Sequence, residues 1–117
     1  MNGFRVGMGL AALAASLLIG RGPALAASAE NGKILFTQKF GCYQCHGTEG
    51  QGGAAGPKLA PNPLPYERLA NFVRTSSREM PPFSEKVLSN EDLADMYAYL
   101  QSIPKAPDYK SIPLLNQ

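Results

Sequence analysis

The sequence is poor in the residues that build metal sites and disulfide networks. Its 117 residues include one histidine, two cysteines and no tryptophan. A structural zinc site needs four ligands, so it would have to recruit a carboxylate or another chain. No segment alternates apolar and polar residues long enough to predict a strand, and no internal repeat occurs. We therefore expect one small all-α domain.

A hydrophobic run long enough to span a membrane is also missing. Arg5 precedes an apolar stretch that falls short of the roughly 20 residues a spanning helix needs. Small residues follow this stretch up to Ala26, which is typical of a cleavable signal peptide rather than of a retained anchor. We predict a signal peptide over residues 1–26, with cleavage after Ala26 or Ala29, and a periplasmic protein with no membrane span after cleavage.

Basic and acidic residues are equal in number once this segment is set aside. Removing Arg5 and Arg21 from the 11 Lys and Arg leaves nine, which balance the nine Asp and Glu. Nucleic-acid binding depends on a basic surface, so we expect none here. Electrostatic guidance of a partner would have to come from a local patch, and Lys39, Lys58 and Lys86 are candidates for one.

Apolar residues at helical spacing predict three helices separated by loops. The helices are predicted over residues 30–39, 66–75 and about 90–101. Ser89 and Asp92 form a capping signal at the start of the last helix. Glycine and proline are dense over residues 47–65 and forbid a long helix there. We expect an extended proline-rich tail over about 104–117, and we expect the last helix to pack on the first through Leu93, Met96, Tyr97 and Leu100.

The segment Cys42-Tyr43-Gln44-Cys45-His46 contains both cysteines and the one histidine. Cys-x-x-Cys-His is the pattern for covalent attachment of c-type haem. The two thiols add to the haem vinyl groups, and the adjacent imidazole becomes an axial ligand of the iron. We predict one haem (heme c) attached through Cys42 and Cys45 and ligated by His46. A structural disulfide would leave His46 unexplained, and a thioredoxin-like dithiol would follow a strand that is not predicted here.

The sixth ligand of the iron cannot be a second histidine of this chain. Methionine, lysine, an N-terminal amine, water or no ligand remain. Met1 and Met8 lie in the predicted signal peptide, and Met96 lies on the apolar face of the last helix. Met80 remains, in a proline-stiffened loop beyond the middle helix, and we predict that it is the sixth ligand.

With these motifs in this order, the sequence resembles the small single-haem c-type cytochromes of class I over nearly the whole mature chain. The resemblance implies a small cytochrome c fold of about three to four helices, with long Gly/Pro-rich loops wrapped around one covalently attached haem. In such proteins a glycine and an aromatic residue on the first helix meet an aromatic residue on the last, which corresponds to Gly32, Phe36 and Tyr97. Gly56-Pro57-Lys58-Leu59 matches a Gly-Pro-x-Leu segment whose proline carbonyl accepts a hydrogen bond from the ligand histidine, so Pro57 is expected to contact His46.

The sequence departs from the class in two respects. Tryptophan is missing, and residues 74–79 lack the glycine often found before the ligand methionine. The sequence therefore does not identify the groups that hold the haem propionates. Arg74, Arg78 and Tyr66 are candidates, because guanidinium and phenol groups donate to carboxylates.

A haem with protein ligands on both sides cannot readily bind a substrate, so we expect a single-electron carrier and not an enzyme. Its partners would be a dehydrogenase as donor and an oxidase or another acceptor. The chain itself would be a monomer or a subunit of a hetero-complex. One alternative is a dedicated electron-accepting subunit of a periplasmic dehydrogenase complex, docked through the tail. Another is a five-coordinate haem that binds gases or reduces peroxide, which would require Met80 to be away from the iron.

Overall fold

The structure is a computed structural model that describes residues 26–61 and 63–115. The predicted signal peptide lies outside the described residues, apart from Ala26. These residues contain helices and turns but no strand, which confirms the all-α fold class. The helices are α1 (Ala29–Ile34), α2 (Tyr43–His46), α3 (Tyr66–Thr75) and α4 (Asn90–Ser102). None of the helices within the described ranges is long and apolar enough to cross a membrane.

The first helical segment is α1 followed without a break by a π-helical turn. The turn covers Leu35–Lys39, and the N–H of Phe40 donates to the carbonyl of Leu35, five residues back. Together α1 and this turn confirm the helix predicted over residues 30–39. Gly41 follows with a φ of 66°, a conformation that glycine adopts without steric cost, and redirects the chain into the cysteine motif.

The segment α1 crosses α4 at Gly32, where the two backbones approach closely. A Cβ at position 32 would overlap the carbonyl of Asp95 and lie 2.9 Å from the backbone nitrogen of Met96. The Asp95 carboxylate also accepts hydrogen bonds from the backbone N–H of Ser28 at 2.6 Å and from the side-chain amide of Asn31 at 2.7 Å. The close crossing implied for Gly32 is therefore present, and hydrogen bonds hold it on one side.

The aromatic partner of Phe36 on α4 is Tyr99, and the expectation of Tyr97 is wrong. The ring centroids of Phe36 and Tyr99 are 5.8 Å apart, and both rings are buried. Tyr97 is half-buried and packs its ring on Tyr66 of α3 at 5.4 Å. The reason is that α4 has neighbours on two sides: Met96 and Tyr99, three residues apart, share the side towards α1, whereas Tyr97 lies on the side towards α3.

The core takes residues from the loops as well as from the helices. Its buried apolar members are Leu35, Phe36, Ala60, Leu69, Leu88, Leu93, Met96, Tyr99 and Leu100. Ala60 comes from the loop before α3, and Leu88 from the stretch between α3 and α4. The predicted cap of α4 is confirmed, since the Ser89 hydroxyl accepts from the N–H of Asp92 at 3.0 Å. Both long loops are thus anchored in the core at their C-terminal ends.

The tail after α4 is not extended throughout. Two 3₁₀ turns, Tyr109–Ser111 and Pro113–Leu115, interrupt the extended backbone that its prolines predict. The first turn is capped by the Asp108 side chain, which accepts a hydrogen bond from the N–H of Lys110 at 3.0 Å. A local side-chain bond of this kind competes with extended backbone, which is why proline content alone misjudged the tail.

Candidate haem site

The cysteine motif lies on α2, a single helical turn immediately after the first helical segment. The backbone N–H of His46 donates to the carbonyl of Cys42 at 3.1 Å, which closes the turn. His46 is buried, with 8% of its surface exposed, while Cys42 is half-buried and Cys45 is exposed. Residues three positions apart in a helix share one face. The two thiols therefore lie side by side along the turn, with the imidazole directed inwards.

Cys42 and Cys45 are free thiols in this structure, with no disulfide between them. Burial raises the pKa of the Cys42 thiol, and the neighbouring Cys45 acts in the same direction. In the part of the chain that the structure describes, no three His, Cys, Asp or Glu side chains are grouped so that they could hold a metal ion. The described residues therefore do not form the ligand set of a structural zinc site.

The glycine-rich loop after the motif folds back over it. The N–H of Gly52 donates to the carbonyl of His46 at 2.7 Å, and the N–H groups of Leu59 and Ala60 both donate to the carbonyl of Gly50, at 2.7 and 2.9 Å. Gly52 has a φ of 85°, and a Cβ there would lie 2.8 Å from the backbone nitrogen of Lys58. The chain can make this return only with a glycine at position 52.

The returning loop places Pro57 against His46. The Nδ1 atom of His46 and the carbonyl oxygen of Pro57 are 2.8 Å apart. A carbonyl oxygen can only accept a hydrogen bond, so Nδ1 carries the proton and donates it. In this tautomer Nε2 has no proton, and its lone pair is available to a metal. The contact that the Gly-Pro-x-Leu segment implies is thus present in the structure.

A cleft of about 630 Å³ opens beside the motif. It is lined by Cys45, by the segment 53–57 and by Glu79. This volume falls within the range of about 300–1,000 Å³ usual for small-molecule and cofactor sites. At Gly56 a Cβ would lie 2.8 Å from the carbonyl oxygen of Cys45 and 3.0 Å from Nδ1 of His46, so the loop lies as close to the motif as backbone allows. Two thiols and an imidazole with a free Nε2 fit a covalently attached haem, and Cys45 is the motif residue that lines the adjacent cleft.

Met80 lies in the stretch between α3 and α4 and is half-buried. Its backbone carbonyl accepts a hydrogen bond from the Ser76 hydroxyl at 2.8 Å. The residue before it, Glu79, lines the cleft together with Cys45, whereas Met80 itself is not among the lining residues. The structure thus brings the segment that carries Met80 to the edge of the cleft beside the motif.

The candidates for propionate binding are engaged elsewhere or exposed. The guanidinium of Arg74 donates to the carbonyl of Phe83 and to the side-chain oxygen of Asn90, both at 2.9 Å. The Tyr66 hydroxyl donates to the carbonyl of Asn90 at 3.3 Å. Arg78 is exposed. Arg74 and Tyr66 therefore tie α3 to the segment that leads into α4.

The three lysines proposed as a basic patch differ in their surroundings. All three are exposed, but Lys39 forms an ion pair with Asp92 at 2.9 Å. Pairing neutralises the charge of Lys39 locally, and an exposed pair of this kind contributes little to stability, about 0–1 kcal/mol. Lys39 is therefore a weaker member of such a patch than the other two lysines.

Tyr99 is a site residue that the sequence analysis missed. Its hydroxyl donates to the carbonyl of Thr48 at 2.8 Å, two residues after His46. Burial raises the pKa of Tyr99, and the carboxylate of Glu49 raises it further. The available signal was its spacing of three residues from Met96, which places it on the side of α4 that faces α1. Through Tyr99, α4 holds the start of the glycine-rich loop next to the motif.

Known proteins are similar to this chain over more than half of its length. Residues 27–100 match the family described as cytochrome c oxidase, cbb3-type, subunit III. The chain is 32% identical over 84 residues to the cytochrome bc1 complex cytochrome c subunit of Corynebacterium diphtheriae, which covers 69% of this chain and 29% of that relative. It is 33% identical over 84 residues to the cbb3-type cytochrome c oxidase subunit FixP of Sinorhizobium medicae, which covers 59% of this chain and 28% of that relative. The chain thus spans less than a third of the length of these curated relatives. No solved structure matches it.

Proposed function

We propose that this chain, which belongs to the family of cytochrome c oxidase, cbb3-type, subunit III, is a single-electron carrier with His46 and Met80 as the axial ligands of its haem. It is a class I c-type cytochrome domain, and its cofactor is a c-type haem bound covalently through Cys42 and Cys45. Electron transfer through that haem is the function common to such domains. The axial pair and the partners are the finer parts of the proposal.

The observation that carries the proposal is the hydrogen bond from Nδ1 of His46 to the carbonyl of Pro57. It fixes the ring in the tautomer that ligates a metal through Nε2, and it strengthens the imidazole as a donor. The haem, when bound, supplies a one-electron couple at its iron. Met80 would supply a thioether as the second protein ligand, which would raise the reduction potential relative to a second imidazole. Two protein ligands would leave no position for a substrate, which is why a carrier and not an enzyme is proposed.

The proposed partners are inferred from the names of similar proteins. The relatives are named as cytochrome c subunits of a bc1 complex and of a cbb3-type oxidase. We therefore propose that the chain exchanges electrons with respiratory redox proteins, taking them from a dehydrogenase or another donor and passing them to an oxidase or another acceptor. The proposed location is the periplasm, after removal of the signal peptide over residues 1–26.

A second candidate is a dedicated subunit of a dehydrogenase complex, which the tail favours. Its residues Tyr109, Leu114 and Leu115 are 60%, 80% and 63% exposed. Exposed apolar side chains that lie close together are typical of surfaces that contact a partner. A stable hetero-complex on purification from the native host, lost when residues 104–117 are deleted, would favour this candidate over a freely diffusing carrier.

The axial pair is tested by visible spectroscopy of the protein expressed with its leader in a host that attaches c-type haem. Sulfur-to-iron charge transfer gives ferric His/Met haem a weak band near 695 nm. We expect this band in the wild type, its loss in Met80→Leu and its retention in Met96→Leu. Met96→Leu is the matched control, because Met96 is a buried core residue and leucine has a similar volume. Absence of the band in the wild type, with ready binding of carbon monoxide, would replace the carrier by the gas-binding or peroxidatic alternative.

A further inference from the structure

The stretch between α3 and α4 carries Met80 but contains no long helix of its own. Over residues 76–89 it forms bends and one turn, in which the N–H groups of Val87 and Leu88 both donate to the carbonyl of Ser84 at 3.0 Å. A segment of this kind is held in place by its contacts with the helices on either side of it. The position of the Met80 side chain therefore depends on where the stretch is attached.

Two prolines limit how the stretch can be attached. Pro81 and Pro82 follow Met80 directly and have no N–H to donate. Most of the attachments of this segment therefore use its carbonyl oxygens, which need donors from elsewhere. Ser76 and Arg74, at the end of α3, supply those donors.

The attachments lie at Met80 and three residues after it. The Ser76 hydroxyl donates to the carbonyl of Met80 itself at 2.8 Å. Arg74 donates to the carbonyl of Phe83 at 2.9 Å, and the N–H of Phe83 donates back to the carbonyl of Val73 at 2.9 Å. Ser76 is itself buried. The segment is thus bonded to the end of α3 at Met80 and at Phe83.

Arg74 bonds to the stretch at one position and to the start of α4 at another. Its second terminal nitrogen donates to the side-chain oxygen of Asn90, the first residue of α4, at 2.9 Å. The planar guanidinium has donors at fixed directions, so one side chain fixes both the middle and the end of the stretch. Lysine has one compact ammonium group and cannot reproduce this two-point geometry.

We propose that Arg74 and Ser76 are positioning residues that hold the Met80 segment closed against the haem and so set how readily the sixth ligand is displaced. This inference rests on the proposed His46/Met80 ligation. In the closed form Met80 keeps its place, and in an open form the iron can take up another ligand. Loss of either donor shifts the equilibrium towards the open form.

Imidazole binding to the ferric protein measures this equilibrium. Imidazole reaches the iron only where the segment is open, so its apparent affinity is proportional to the open fraction. We expect Ser76→Ala to tighten imidazole binding about fivefold, the change that loss of one neutral hydrogen bond brings. We expect Arg74→Ala to tighten it about tenfold or more, because it loses the charge-assisted bond to the carbonyl of Phe83 in the Met80 segment, and Arg74→Lys to fall between Arg74→Ala and the wild type.

The controls are the exposed neighbours Ser77→Ala and Arg68→Ala, which remove the same groups from the loop and from the same helix. Both are expected to bind imidazole as the wild type does. Ser76→Thr keeps a hydroxyl at this position and should restore most of the wild-type affinity. If Arg74→Ala fails to accumulate as a holoprotein, Ser76→Ala and Arg74→Lys still decide the question.

The outcomes separate this inference from the proposed function. A wild type without the band near 695 nm removes Met80 as a ligand, and then the proposed ligation fails. A wild type with the band, but with Ser76→Ala and Arg74→Lys equal to their controls in imidazole affinity, overturns the positioning role alone. Variants that lose global stability against urea with no change in imidazole affinity also overturn it, because the bonds would then support the fold without controlling the ligand.

Discussion

Replacing Gly32 by alanine tests the closest contact in the fold. Gly32 lies where α1 crosses α4, and a Cβ there would overlap the carbonyl of Asp95 and approach the nitrogen of Met96 to 2.9 Å. These atoms are backbone atoms inside a helix, so no side-chain rotation can relieve the clash. The two helices would have to move apart, and the packing of Phe36 on Tyr99 would loosen with them.

Two opposing effects set the magnitude of this change. Overpacking of a well-packed core costs about 1–3 kcal/mol, and a rigid backbone obstacle favours the upper end of that range. Alanine has a better helix propensity than glycine by about 0.8–1.0 kcal/mol, which acts in the opposite direction. We therefore expect Gly32→Ala to lower the free energy of unfolding by about 2 kcal/mol. In a domain of this size that corresponds to a decrease in Tm of roughly 8–16 °C.

The assay is urea unfolding of the holoprotein, followed by far-UV circular dichroism and by haem absorbance. Gly53→Ala is the matched control, because a Cβ at position 53 would meet its nearest heavy atom, the carbonyl oxygen of Cys45, at 3.9 Å, an ordinary van der Waals distance. The control should unfold at the same urea concentration as the wild type or slightly above it. A Gly32→Ala protein as stable as the control would refute the close crossing of α1 and α4.

Two further changes test the contacts around the motif. Tyr99→Phe removes the hydrogen bond to the carbonyl of Thr48 and should lower the free energy of unfolding by about 1 kcal/mol at neutral pH. Because burial and the carboxylate of Glu49 raise the pKa of Tyr99 in the folded protein, its contribution is complete below the ordinary tyrosine pKa of about 10 and is lost as the pH rises through the folded value. The difference between wild type and Tyr99→Phe in urea unfolding should therefore narrow above about pH 10, and a constant difference would contradict this reasoning. Gly56→Ala places a Cβ 3.0 Å from Nδ1 of His46, which should displace the carbonyl of Pro57 and weaken the imidazole as a donor. The reduction potential should then rise by about 20–60 mV, the equivalent of 0.5–1.5 kcal/mol for one electron, and a potential equal to that of Gly53→Ala in a redox titration would speak against it.

The helices were predictable because their determinants are local. Tyr66–Thr75 was predicted with both ends correct, since a proline run precedes it and its apolar residues recur every three or four positions. The start of α4 followed from the Ser89 cap, which acts within one turn. The loop from Gly47 onwards was predicted as irregular from its glycines and prolines. Each of these features depends on residues only a few positions apart.

The errors concern contacts between elements that are distant in sequence. Phe36 and Tyr99 are far apart in the chain, and which aromatic residue of α4 faces α1 depends on the side at which the helices cross. Spacing alone places Tyr97 on the apolar face, and it does pack on a helix, but on α3. The partners of Arg74 were likewise not predicted, because composition suggests only a partner for a carboxylate, while the fold offers Arg74 a backbone carbonyl nine residues away.

The two proposed ligands, His46 and Met80, are positioned by different means, so the two should tolerate mutation differently. His46 is held by backbone: it lies in α2, and its Nδ1 donates to the carbonyl oxygen of Pro57. A backbone carbonyl is present whatever residue occupies position 57, so most substitutions there leave an acceptor in place. The segment of Met80 has one backbone bond to α3, from the N–H of Phe83 to the carbonyl of Val73, but its other bonds come from the side chains of Ser76 and Arg74, which a single substitution removes. Mutations in the stretch 74–83 are therefore expected to change the sixth ligand and the reduction potential while the histidine side of the site remains intact.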